Sequence, residues 1–269
     1  MFSDFLSEKG MPIIFEAAQP HQFVEVNGVR RPTEVYDVES VLGAIYNAVQ
    51  GRQNVYGIGV SEVHDSGPEK VPPLRYAIWM EGASKDLVIY RSPVYFPASA
   101  ICQEGYVEEL LQRGIKNLII AGGRSSSDRY PGYQPLEFLA RIKTAFGHKI
   151  FAGGVTIQTR KNETQRLAEK TRHGMRYFRS QQIFDAEPVN ETLQAYWMQC
   201  QEEGLEPQTV FLSFVPVLNE HTIGKLRDLG VAIPEDVERM IYAGGDRRAM
   251  RRASIAVAKE LLGKILEHA

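Results

Sequence analysis

The sequence predicts an α/β protein of the (β/α)8 barrel type, on three observations. Short β-rich runs alternate with helical patterns of 10–15 residues, and the strands recur about every 25–40 residues along the whole chain. No Pro/Ser-rich linker divides its 269 residues, a length that suits one barrel domain over 1–269. Two segments, GIKNLIIAGG and GHKIFAGG, each run from a helix-ending glycine through a strand into a Gly-Gly pair.

Strands are expected near Pro12–Ala17, Val55–Glu62, Asp86–Arg91, Asn117–Gly122, Lys149–Gly153, Arg176–Gln182 and Thr209–Phe214. That makes seven, one short of a closed barrel, so an eighth strand is absent, supplied by another segment or donated by a neighbouring chain. Helical spacing is clear at Val38, Val41, Leu42, Ile45 and Val49, and again at Tyr106, Val107, Leu110 and Leu111. Glu163–His173 is rich in helix formers and is stopped by Gly174. Met240–Ala269 reads as one long helix, and FVEVNGVRR as a hairpin turning at Asn27-Gly28.

Composition is that of an ordinary soluble protein, with 43% hydrophobic residues, 24% charged residues and a net charge of −2. Nothing in that balance favours nucleic acid or an anionic membrane as partner. Cys102 and Cys200 fall in helical patterns with no CxxC or CxxH spacing, which reads as two reduced thiols. No metal site is expected, because His64 has no set of zinc-spaced ligands around it. The absence of a basic, apolar leader or an 18-residue apolar window points to a cytoplasmic location.

Candidate site residues cluster where strands should end, the ligand side of a parallel α/β fold. Glu16 follows Ile13-Ile14-Phe15, and burial there would raise its pKa and suit it to proton donation; a structural pair with an arginine is the alternative. Glu62 suits paired N–H donors or loop capping. Ser180, Gln181 and Gln182 bring hydrogen-bonding groups to the end of the sixth strand. The stretch Gly122-Gly123-Arg124-Ser125-Ser126-Ser127-Asp128 offers backbone N–H groups, hydroxyls and a cation to a phosphate, or is a Ser/Gly turn. Gly153-Gly154 with Thr156 offers a similar floor one strand later. Arg160, Lys161, Arg166, Lys170 and Arg172 make a basic helix that either binds an anion, such as a cofactor phosphate or a glutamate tail, or is a solvated face. The DRRAMRR run at Asp246–Arg252 reads as a solvated or subunit-facing surface.

Several segments in order resemble the methylenetetrahydrofolate reductase family. They are FEAAQP at 15–20, LIIAGGR at 118–124, RLAEKTRHGMRYFRSQQIFD at 166–185, SFVPVLN at 213–219 and IPEDVERMI at 233–241. The resemblance implies a (β/α)8 barrel that reduces 5,10-methylenetetrahydrofolate to 5-methyltetrahydrofolate with NAD(P)H, usually through FAD. It assigns Glu16 as general acid, Gln181 as a substrate contact and Lys170 as a flavin-phosphate contact. The chain departs from the pattern at Arg124, where the family has an acid, at Glu169, where it has a basic flavin contact, and at YRSPVYF, where it has a histidine. Flavin-free hydride transfer is therefore an alternative. So are a non-catalytic folate- or flavin-binding subunit of a C1-transfer complex, and a pterin-dependent methyltransferase. A homo-oligomer is expected, since an unclosed sheet has edges to cover.

Overall fold

The computed structural model describes residues 13–17, 23–26, 29–34, 37–49, 55–60, 71–80, 86–123, 129–243 and 245–268. The expected turn at Asn27-Gly28 and the residues Glu62, His64, Asp65 and 124–128 lie outside the described residues. The chain divides into two compact units, Met1–Gly153 and Gly154–Ala269.

All seven expected strands form, and they make one parallel sheet. They are β1 (Ile13–Ala17), β4 (Val55–Val60), β5 (Asp86–Arg91), β6 (Asn117–Ile120), β7 (Phe151–Thr156), β8 (Tyr177–Gln182) and β9 (Thr209–Ser213). Their order is β1-β4-β5-β6-β7-β8-β9, with β1 and β9 as its two ends. This corrects the closed (β/α)8 barrel. Among the described residues the arrangement is a partial (β/α)n one, an all-parallel sheet with alternating helices. The remaining strands, β2 (Phe23–Val26) and β3 (Val29–Pro32), pair antiparallel with Val26 opposite Val29, the hairpin expected from the sequence.

In the first unit, Glu16 pairs in register with Gly59 and Arg91 with Ile120. Ile58, Val60, Val88, Ile89, Leu118 and Ile119 are buried along these strands, as parallel strands covered by helices require. The helices are α1 (Glu39–Val49), α2 (Pro73–Trp79), α3 (Ala100–Gln112) and α4 (Pro135–Phe146). Val38, Leu42 and Ile45 face the core at the expected spacing, and Val41 is exposed. Ser99 caps α3 by accepting from the Cys102 N–H at 3.3 Å.

The second unit adds α5 (Glu163–Arg172), α6 (Glu187–Glu202), α7 (Glu220–Asp228), α8 (Glu235–Tyr242) and α9 (Arg247–Leu266). Gly174, at φ 92°, reverses the chain after α5 as the sequence implied. The single terminal helix is corrected to two, α8 and α9. Gly245 takes a left-handed φ of 72°, and the Asp246 carboxylate accepts from the Ala249 N–H at 2.7 Å, restarting the helix. Val217, Ile223, Leu226, Ile241, Met250, Val257, Leu261 and Ile265 close the core of this unit. The buried Ser254 hydroxyl accepts from the Val217 N–H at 3.0 Å. Cys102 and Cys200 are free thiols in α3 and α6. Among the described residues, no helix is long and apolar enough to cross a membrane.

The phenol of Tyr196 ties α6 to both neighbours. It shares a hydrogen bond of 2.6 Å with the Thr171 hydroxyl and accepts from the Gln208 N–H at 3.0 Å, just before β9. Burial pushes its pKa up to about 12 against the pull of those two bonds. Tyr196→Phe leaves the Gln208 N–H without its acceptor and is expected to cost about 1–3 kcal/mol in urea unfolding. An unchanged midpoint would show that this bond is not part of what holds the unit together.

Candidate functional site

In the second unit the C-terminal ends of β7 and β8 open into a cavity of about 300 Å3. Gln158 and Thr159, just beyond β7, line one side, and Gln181 and Gln182, the last residues of β8, line another. Ile183, Phe184 and Asp185 continue from β8. Pro188 and Val189 come from α6, and Ala232, Ile233 and Pro234 from the segment before α8. The lining is apolar with a few convergent polar groups, the usual make-up of a small-molecule pocket. Among the described residues that line it there is no lysine or arginine.

The turn that carries Gln158 and Thr159 is held from within. Glu163, only 3% exposed, accepts from the Ile157 N–H at 3.1 Å through Oε1. The same oxygen lies 3.8 Å from Lys170 Nζ, and Oε2 lies 3.5 Å from the Arg160 guanidinium. Positions 163 and 170 are two helical turns apart on one face of α5, so strand end, turn and helix share one carboxylate. Thr192 of α6 donates to the Gln158 carbonyl at 3.3 Å, fixing the turn from the other side. Gln158 Nε2 is buried and has no protein partner.

On the opposite wall, Gln181 Nε2 donates to the Leu229 carbonyl at 2.7 Å, tying the end of β8 to the segment that leads to Ala232. The fully buried Ser180 hydroxyl accepts from the Ser213 N–H at 2.8 Å across the irregular step between Arg179 and Gln182. Asp185 Oδ1 accepts from the Glu187 N–H at 3.1 Å, so this carboxylate is anchored at the start of α6.

The other expected site residues take different positions. Lys170 directs its ammonium inward, donating to the Val155 carbonyl at 2.6 Å beside Glu163. Burial lowers its pKa, with Glu163 opposing and Arg160 and Arg166 adding to the shift. Gly153 and Gly154, expected to begin a loop, lie buried inside β7, which runs three residues further than the sequence implied. A Cβ on Gly154 would stand 2.5 Å from Met175 Sδ, so the glycine permits close strand packing. A Cβ on Gly123 would stand 2.3 Å from Tyr130 Cζ, whereas Gly122 is exposed. Glu62, Arg124, Ser125 and Ser126 lie outside the described residues, as does the Glu16 side chain.

These positions test the flavin expectation. Of the groups assigned to its phosphates, Lys170 is spent on Val155 and Glu163, and the space at Gly123 and Gly154 is taken by Tyr130 and Met175. The described residues do not fit that assignment. Among them, no group of three or more His, Cys, Asp or Glu side chains could hold a metal.

Sequence reasoning passed over Gln158, Thr159, Asp185 and the bracing role of Glu163. The signal for the first two was hidden by ending β7 at Gly153. In the first unit it also passed over Arg91, 3% exposed at the end of β5, whose guanidinium lies 3.4 Å from the centre of the Phe96 ring and 4.1 Å from that of Tyr106. Arg91 donates to the Cys102 carbonyl at 3.1 Å, which makes it a packed structural cation.

No protein-family model and no curated protein matches the chain. Among solved structures it is similar to an uncharacterized protein from Clostridium thermocellum that binds two copies of 5-methyl-5,6,7,8-tetrahydrofolic acid. That likeness has a TM-score of 0.74 at 15% identity, over 99% of this chain and 87% of the other. An aldo-keto reductase complexed with NADPH matches at a TM-score of 0.39 and 13% identity, over 88% of this chain and 84% of the other, a level that carries no argument. The chain shares its fold with the folate-binding protein.

Glu163→Ala removes the acceptor of the Ile157 N–H and strands the Lys170 ammonium. It is expected to destabilise the protein by about 3–5 kcal/mol in urea unfolding. Glu163→Gln, which keeps an acceptor, should cost less. Equal losses for the two variants would show that the acceptor at the Ile157 N–H does not brace the turn.

Proposed function

We propose that the protein binds a reduced, one-carbon-substituted folate, with its pterin ring in the cavity at the ends of β7 and β8. The observation that carries this reading is a cavity bordered by three glutamines and one carboxylate, with no lysine or arginine among its described lining residues. A pterin edge alternates ring N–H, carbonyl and amino groups. Glutamine amides offer both a donor and an acceptor to such an edge, and a carboxylate accepts from paired N–H groups. A phosphate or diphosphate would find no countercharge in that lining. The volume of about 300 Å3 suits the ring of a folate and not the whole molecule. The shared fold with a protein that binds 5-methyltetrahydrofolate supports the same choice.

The finer proposal is reduction of 5,10-methylenetetrahydrofolate to 5-methyltetrahydrofolate, with NAD(P)H as hydride donor and without flavin. Opening the methylene bridge needs a proton at the departing amine, and hydride then adds to the resulting iminium carbon. Glu16 is the proposed proton donor, supported by its place one residue from the C-terminal end of β1.

Calorimetric titration with 5-methyltetrahydrofolate tests the binding reading. Wild type should bind, and Gln182→Leu and Gln158→Leu should each weaken binding about tenfold, the value of one well-made hydrogen bond. No binding by wild type, or equal binding by all three, would contradict it. The reaction is tested by NAD(P)H oxidation with methylenetetrahydrofolate. Glu16→Gln should slow turnover about 10²–10⁴-fold, and unaffected turnover would remove Glu16 as donor.

A further inference from the structure

The outer faces of α6 and α9 carry opposite charge. α6, EPVNETLQAYWMQCQE, holds Glu187, Glu191 and Glu202 and no lysine or arginine. α9, RRAMRRASIAVAKELLGKIL, holds Arg247, Arg248, Arg251, Arg252, Lys259 and Lys264 against the single acid Glu260. The four arginines are exposed and form no ion pair among the described residues. Arg247 and Arg248 stand in the first turn of α9 and Glu202 in the last turn of α6, each of the wrong sign for its own helix dipole. Neither helix gains stability from these charges.

Exposed positions form a seam on each helix. They fall at Glu187, Glu191, Gln194 and Met198 in α6, and at Arg248, Arg252, Ile255 and Lys259 in α9, both in alternating steps of 4 and 3 residues. That spacing lets one helix seat along another. Large apolar side chains mark the middle of both seams, with Trp197 51% exposed, Met198 50% and Ile255 38%. Exposed apolar groups rimmed by charge are the mark of a protein interface. The two helices are neighbours, with Val189 and Leu193 of α6 in the same core as Val257, Leu261 and Ile265 of α9. Lys264, near the end of α9, feels Asp185, just before α6, so the helices run in opposite directions. Counting about 1.5 Å per residue from that meeting point, Lys259 stands level with Glu191, Ile255 with Trp197 and Arg248 with Glu202, each to within about 5 Å.

We propose that this face is the interface of a two-fold dimer in which α9 of each copy lies along α6 of the other. A two-fold axis parallel to the helices preserves height. Lys259 then meets Glu191 of the partner subunit, Ile255 meets Trp197 of the partner subunit, and Arg248 and Arg252 meet Glu202 of the partner subunit. The contact is isologous and is made twice, once by the α9 of each copy. Charge complementarity selects a second copy of this chain over acidic proteins in general, because the matching acids stand on the same face at the heights the cations require. The apolar centre supplies the burial and the charged ends set the register. The dimer does not depend on what the cavity binds.

Sedimentation equilibrium of the full chain at micromolar concentration tests the interface. Wild type should be a dimer whose Kd rises about tenfold from low to high salt. Arg248→Glu with Arg252→Glu, and separately Glu191→Lys with Glu202→Lys, should each weaken association about 100-fold or more, leaving monomers. An equimolar mixture of these two variants should dimerise again, since each reversed helix then faces the opposite charge in both contacts. Trp197→Ala, which leaves the charges in place, should weaken the wild-type dimer about tenfold. All the changed side chains are exposed, and an unaltered circular dichroism spectrum is the folding control. A monomeric wild type, a dimer that survives either charge reversal, or a mixture of the two variants that stays monomeric overturns the assignment.

Discussion

One buried carboxylate organises the second unit. Glu163 sits at the first position of α5, where an acid is favoured by the helix dipole, yet it points inward and not to solvent. There it takes the Ile157 N–H, the Lys170 ammonium and the Arg160 guanidinium. A buried charge of this kind is tolerated only when it is paired on several sides. Satisfying it fixes the turn between β7 and α5, and that turn supplies the cavity with Gln158 and Thr159. Lys170 is drawn into the same arrangement, which is why a helix rich in cations presents fewer of them to a ligand than its sequence implies.

The parallel ladder sets the rest of the geometry. Strands running the same way bring their C-terminal ends to one edge, and their connecting turns become the walls of a site. Of the two glycine pairs, packing uses one residue of each. Tyr130 fills the space over Gly123, and Met175 and Phe178 crowd Gly154. Gly132 serves the same end, because a Cβ there would collide with the Pro93 and Phe96 carbonyls. The described lining of the cavity at the ends of β7 and β8 offers amide and carboxylate groups on an apolar floor. That is a selective surface for a heterocycle with an amide-like edge and a poor one for a diphosphate.

Much of the fold was legible because alternation is a strong signal over a long chain. All seven parallel strands, the hairpin, α1, α3 and the stop of α5 at Gly174 follow from hydrophobic spacing and turn residues. Sheet closure was not legible, since whether β1 and β9 meet depends on strand tilt and stagger and not on local pattern. A glycine pair was read as a loop because composition cannot tell conformational freedom from a need for close packing; Gly154 serves the second. The break between α8 and α9 turns on one left-handed glycine and an aspartate cap inside a run of good helix formers. For the site, Gln181 and Gln182 were visible as polar residues closing an apolar strand. Gln158 and Thr159 were not, because their place depends on where β7 ends. Glu163 looked like a surface acid that softened a basic run, and only its three-dimensional partners reveal its role.

The central claim is that a reduced pterin occupies the cavity at the ends of β7 and β8. A crystal structure of the protein with 5-methyltetrahydrofolate tests it most directly. The account predicts the pterin ring within hydrogen-bonding reach of Gln158, Gln182 and Asp185. A ligand bound away from these residues, or an empty cavity in crystals grown at saturating ligand, would contradict it.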